Sequence, residues 1–76
     1  MKFNISPHAQ YRYYERGIST EAIKTTIREP DNETFQTNGK IKAEKLIDEK
    51  KLIVIYLKDG KEFVIITVYY ENNLRQ

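Results

Sequence analysis

The 76-residue chain contains no cysteine and no tryptophan, and it has a single histidine, His8. Without cysteine there is no disulfide, no thiolate nucleophile and no sulfur ligand for zinc. One histidine excludes a multi-histidine metal site, and we expect no metal or other cofactor. No run of about 18 apolar residues is present, so we expect no membrane-spanning segment and no membrane partner. Segment 1–6 lacks the apolar run of a signal peptide, and we therefore expect a cytoplasmic protein.

The charge balance does not identify a partner. The chain has thirteen Lys and Arg residues and eleven Asp and Glu residues, which gives a net charge of +2. Generic nucleic-acid binders often carry a larger basic excess, and here no block of one sign is present. A phosphate-binding surface would have to be a local patch made by folding. The short length predicts one domain, residues 1–76.

Two short helices are predicted in the first half of the chain. Ser6 and Pro7 are typical of a helix start, and Gly17 suits the residue after a helix end, so we expect a helix over 6–16. Ser19 repeats the start signal and Pro30 ends the second helix, predicted over 20–29. Because helices of about ten residues are marginal alone, both must pack against another layer.

The second half of the chain is predicted to be β-structure. Apolar and β-branched runs, separated by turn residues such as Asn38-Gly39, indicate strands over about 33–37, 40–47, 51–58 and 61–70. Segment 2–5 is a further candidate for a short edge strand. We expect an α+β fold in which two N-terminal helices pack on a three- to four-stranded antiparallel meander sheet.

One side of the first predicted helix concentrates groups with chemical potential. His8, Arg12, Glu15 and Arg16 fall within a sector of about 100° at helical spacing. Histidine titrates near neutrality and serves as a general acid or base, whereas the arginine fork matches phosphate oxygens. An ordinary solvated helix face would show the same spacing, and the helix dipole disfavours a charged imidazole at its N-terminus. Both interpretations stay open.

Six tyrosines form a second group of candidates. Such rings stack on RNA bases or anchor interfaces, and they also close the rim of a small core. Thr67 and Tyr69 share one face of the last predicted strand. If that face is turned toward the first helix, their hydroxyls join His8 and Arg12.

The segment 6–19 resembles the opening "HA..R..ERGI" signature of a small bacterial family catalogued as domain of unknown function 4258. That family is similar to the BrnT and RelE group of ribonuclease toxins. The resemblance implies a helix-then-sheet fold and RNA cleavage. It falls on His8, Arg12, Glu15 and Arg16 in the helix and on Thr67 and Tyr69 in the last strand. The resemblance also implies a lysine or arginine from the middle strands at the site, and Lys45 is the candidate for this residue.

The leading hypothesis is a metal-independent endoribonuclease of a bacterial toxin–antitoxin-like system. We assign catalysis to His8, Arg12, Arg16 and Tyr69, and substrate binding to Glu15, Lys45 and Thr67. The partner would be RNA. A second hypothesis is a non-enzymatic module that pairs with a cognate antitoxin or a second copy through an exposed sheet. Strands that are apolar on both faces leave apolar surface exposed, and such surface is typical of an interaction site. A third is an RNA-binding domain without catalysis.

Overall fold

A computed structural model describes residues 2–71, and it has two helices and five strands within that range. The elements in chain order are β1 (Lys2–Asn4), α1 (Pro7–Glu15), α2 (Thr20–Arg28), β2 (Asn32–Phe35), β3 (Lys40–Ile47), β4 (Lys50–Asp59) and β5 (Glu62–Glu71). The α+β class predicted from the sequence is therefore confirmed. The described residues include no helix long and apolar enough to cross a membrane.

Serine caps start both helices. The Ser6 hydroxyl accepts a hydrogen bond from the Ala9 N–H at 3.1 Å, and the Ser19 hydroxyl accepts one from the Ala22 N–H at 3.1 Å. Each cap satisfies an amide that has no partner inside the helix. The helices occupy 7–15 and 20–28, slightly inside the predicted 6–16 and 20–29. Gly17 adopts a φ of 76°, the left-handed conformation expected after a helix end.

The four strands of the predicted meander are present and antiparallel in sequence order. Three of them match the predicted segments 40–47, 51–58 and 61–70 to within one residue. The first, predicted over 33–37, instead ends at Phe35. A 3-10 turn over Thr37–Gly39 follows, with Asn38 at a φ of 65°, so the connection to β3 is longer than the predicted two-residue hairpin.

The prediction of a purely antiparallel sheet of three to four strands is wrong. The sheet has five strands in the order β1-β5-β4-β3-β2, and β1 pairs in parallel with β5. The Phe3 ring stacks on the Phe63 ring with centroids 5.2 Å apart, which holds the N-terminal segment against the free edge of β5. Two parallel strands need a long connection between them, and the segment between β1 and β5, which contains most of the chain, provides it.

Both helices pack on the same side of the sheet, which we call the helix face; the other side is the open face. Helix α2 packs on β3 and β4, and α1 packs on β5. Alternate residues of β4, Leu52, Val54 and Tyr56, belong to the core beneath the helices. The core also contains Tyr13, Ile18, Ile23, Ile27, Ala43, Ile65 and Val68. Ile53 is fully buried but outside this core, so it lies on the open face.

A buried tyrosine connects the core to the edge strand β2. The Tyr56 hydroxyl donates a hydrogen bond to the Glu33 carboxylate at 3.1 Å, and only 3% of the Tyr56 residue is exposed. Burial, and to a smaller extent the hydrogen bond to Glu33 and its negative charge, together raise the pKa of Tyr56 to about 12. The folded state therefore holds this proton more tightly than the unfolded state, in which tyrosine titrates near pH 10.

We predict that Tyr56→Phe changes the alkaline stability of the protein. In the parent, the stabilisation linked to Tyr56 is complete below about pH 10 and is lost as the pH rises toward about 12. The variant lacks this component, so its free energy of unfolding should fall less steeply over that range. At pH 7 it should be less stable by about 1 kcal/mol, because one hydrogen bond is lost. Urea unfolding between pH 7 and 11.5 measures both effects.

The matched control is Tyr14→Phe, because Tyr14 is exposed and has no place in the core. That variant should keep the parent's pH dependence. Equal slopes for the parent and Tyr56→Phe between pH 10 and 11.5 would contradict the prediction.

Candidate functional site

Helix α1 and its C-terminal cap residue present four of the predicted site residues to solvent. His8, Arg12, Glu15 and Arg16 are all exposed. His8 and Arg12 are four positions apart in α1 and so lie on one side of it, and Arg16, the C-terminal cap residue, continues this row four positions after Arg12. Next to this exposed row, the Tyr13 side chain points into the core and is only 6% exposed. The helix is thus anchored by an aromatic residue directly beside its basic row.

The Tyr13 phenol lies within the electrostatic influence of both arginines. Burial raises the pKa of Tyr13, and the positive charges of Arg12 and Arg16 oppose that rise because they favour the phenolate. Two guanidinium groups therefore act on one partly desolvated position at the edge of the core. Two neighbouring guanidinium groups are suited to bind an anionic ligand such as a phosphate.

Thr67 and Tyr69 do not lie on the face that packs against α1. Val68 belongs to the core beneath the helices, and neighbouring residues of a strand point to opposite sides. Thr67 pairs with Ile55 and Tyr69 pairs with Ile53, on the open face. The condition for their hydroxyls to join His8 and Arg12 is therefore not met.

A group of charged side chains lies beside Tyr69 on the open face, next to its apolar partner Ile53. On the next open-face pair of the same two strands, Lys51 makes ion pairs with Glu44 at 3.4 Å and with Glu71 at 3.6 Å. The hydrogen bond to Glu44 is the main reason that the pKa of Lys51 is raised. The two carboxylates are thus joined through a lysine. Among residues 2–71, no three acidic or histidine side chains group closely enough to hold a metal ion.

Lys45 is engaged in a structural contact at the end of α2. Its ammonium donates a hydrogen bond to the Glu29 backbone carbonyl at 2.9 Å and lies 3.7 Å from the Asp31 carboxylate. Glu29 is the C-terminal cap of α2, so the lysine neutralises an end where backbone carbonyls lack helical partners. Helix α1 therefore carries His8, Arg12, Glu15 and Arg16 together, whereas Lys45 contacts the end of α2.

An open groove of about 490 Å³ lies on the other flank of α1, and the sequence reasoning did not identify it. It is lined by Ile5, Pro7, Gln10, Tyr11, Tyr13, Tyr14, Ile18, Ser19, Thr20 and Ile23. Tyr11 and Tyr14 are 62% and 81% exposed, which is unusual for large aromatic residues. Their i, i+3 spacing was a usable signal, but the wall from the start of α2 depends on how the two helices pack.

The family model described as "Domain of unknown function (DUF4258)" matches residues 5–70, which includes α1, α2 and nearly all of the strands β2 to β5. The chain belongs to this family. The match confirms the resemblance recognised from the signature in α1. No curated protein and no solved structure matches the chain.

We predict that Lys45→Met lowers stability, because it removes the hydrogen bond to Glu29 and the ion pair with Asp31 while keeping an apolar stem of similar length. The expected loss is about 1 kcal/mol in the free energy of unfolding, measured by urea denaturation. The matched control is Lys42→Met, since Lys42 lies on the same strand but on the open face, paired with Ile55. A loss of equal size in both variants would contradict a specific role for the α2 cap.

Proposed function

We propose that this protein is a metal-independent endoribonuclease of the toxin type, with a fold of the RelE and BrnT kind. The observation that carries the proposal is the row of His8, Arg12 and Arg16 exposed on one side of α1. The row lies on a helix whose position is fixed by the buried Tyr13. The chain belongs to the family matched over residues 5–70, and the similarity to ribonuclease toxins that the sequence predicts for this family is part of the proposal.

The proposed reaction uses the RNA's own 2′-hydroxyl as the nucleophile. The 2′ oxygen forms a bond to the adjacent phosphorus while its proton passes to a base. The bond from phosphorus to the 5′ oxygen breaks, and that oxygen takes a proton. The products are a 2′,3′-cyclic phosphate and a 5′-hydroxyl end. Such a reaction needs proton transfer and positive charge on the non-bridging oxygens.

The residues of α1 provide both requirements in this proposal. His8 makes one of the two proton transfers, because imidazole is the side chain most often used as a general acid or base, and solvent water makes the other. Arg12 and Arg16 bind the phosphate and stabilise the charge that develops on its oxygens. Glu15 lies three residues after Arg12 on the same side of α1, and its proposed role is to orient that guanidinium.

The roles first assigned to Tyr69, Thr67 and Lys45 fit this proposal less directly. Tyr69 and Thr67 lie on the open face, away from α1. They contribute to RNA binding only if the RNA strand extends from α1 around the edge of the sheet to that face. Lys45 is held by Glu29 and Asp31. The proposal therefore rests on the α1 residues.

RNA cleavage in the presence of EDTA tests the proposal. We expect the parent to cleave, His8→Ala to be at least about 100-fold slower, and Arg12→Ala to be slower by about 100-fold. Arg28→Ala is the matched control, because it removes an exposed arginine from α2 instead of α1, and it should keep the parent's rate. Circular dichroism checks that each variant is folded. A parent that does not cleave, or a His8→Ala variant that cleaves at the parent's rate, is incompatible with the proposal.

A second candidate function is self-association through the open face. Three apolar side chains of β4 and β5, Ile55, Leu57 and Val64, are only partly buried there. Neither α1 nor α2 covers them, because both helices pack on the opposite face. Uncovered apolar area on a sheet is a common basis of a symmetric dimer.

If the open face mediates a dimer, light scattering should give twice the 9.1 kDa mass of the monomer. Leu57→Lys should then shift the protein to monomer, since a lysine at this position would bring an unpaired charge into the interface. Tyr14→Ser is the matched control, because it removes an exposed aromatic residue from α1 and should leave the dimer intact. A monomeric parent at all concentrations excludes this candidate function.

A further inference from the structure

We propose that the groove beside α1 is a binding site for an unpaired nucleobase of single-stranded RNA. The inference rests on the proposed RNA function, and it names the part of the substrate that this groove takes. The groove volume of about 490 Å³ falls within the range of about 300–1,000 Å³ typical of small-ligand sites.

The lining of the groove matches the chemistry of a base. None of the ten lining residues carries a formal charge at neutral pH, and three of them are tyrosines. A nucleobase is a neutral aromatic ring with hydrogen-bonding edges, and it binds by stacking on aromatic side chains. Gln10 and the hydroxyls of Ser19 and Thr20 supply hydrogen-bonding groups among the apolar walls.

Two tyrosines are available for stacking. Tyr11 and Tyr14 are separated by three positions, so they lie on neighbouring turns of α1, and both line the groove. Most of the surface of each is in water, at 62% and 81% exposure. Exposed rings with no aromatic partner among the described residues are free to receive a base.

Charge complementarity favours RNA over an apolar protein segment as the occupant. Tyr13 lines the groove, and its phenol experiences the positive charges of Arg12 and Arg16. The arginine row and the groove are thus on two flanks of one helix, with Tyr13 between them. An RNA strand crossing α1 would place a phosphate at the arginines and an adjacent base in the groove.

The test measures binding of a fluorescein-labelled 2′-O-methyl oligouridylate by fluorescence anisotropy. This probe has no free 2′-hydroxyl, so it is not cleaved by the proposed reaction. We expect Tyr14→Ala and Tyr11→Ala each to weaken binding by about 5- to 100-fold, the effect of removing one stacking ring. Tyr14→Phe should bind like the parent, because the ring remains. Phe35→Ala is the matched control, since Phe35 is an aromatic residue 75% exposed on β2, away from the groove.

An abasic oligomer of the same length separates the base from the phosphates. The parent should bind it more weakly than the oligouridylate, and Tyr14→Ala should not weaken that binding further. Arg12→Ala should weaken both probes alike, which tests the phosphate contact of the proposed function separately from the groove. Equal affinity of the parent for the two probes would overturn the groove proposal alone. Failure of the parent to bind either probe would overturn both. A Tyr14→Ala variant with unchanged RNA affinity but an altered sedimentation mass would show that a second copy occupies the groove instead.

Discussion

The architecture depends on the burial of β4 on both sides. Its even-numbered residues Leu52, Val54 and Tyr56 form the core under the helices, whereas Ile53 is fully buried on the opposite side. Two helices of nine residues each are enough to cover only one side of the sheet. The positions of α1 and α2 follow from this demand, because their own helical propensity could not hold them in place. Because the helices cover only that side, apolar residues remain partly exposed on the open face.

The features predictable from the sequence are those set by neighbouring residues. The caps Ser6 and Ser19, together with the left-handed Gly17, fixed the helices to within one residue at each end. The row of His8, Arg12 and Arg16 was predictable for the same reason, since helical spacing alone decides which side chains share a side. Local geometry of this kind needs no knowledge of the partner layer.

The features that could not be predicted depend on contacts distant in sequence. The alternation of β5 showed that Thr67 and Tyr69 share a face, but only the packing of Val68 under the helices shows which face it is. The parallel pairing of β1 with the start of β5, which the Phe3–Phe63 stack accompanies, joins segments that lie far apart in the sequence. In the same way, Lys45 has a basic side chain typical of a site, but its partner Glu29 is known only from the fold.

The two sides of the sheet make the two proposed functions geometrically independent. The row of basic residues and the groove belong to α1, on the helix face, whereas the partly buried Ile55, Leu57 and Val64 are on the other side. A second copy bound to the open face would therefore leave His8 and Arg12 exposed to RNA. For the same reason, a protein that covers only the open face would not block cleavage sterically. An inhibitor of the proposed ribonuclease would have to cover α1, and its acidic groups would have to face Arg12 and Arg16, where charge complementarity favours them.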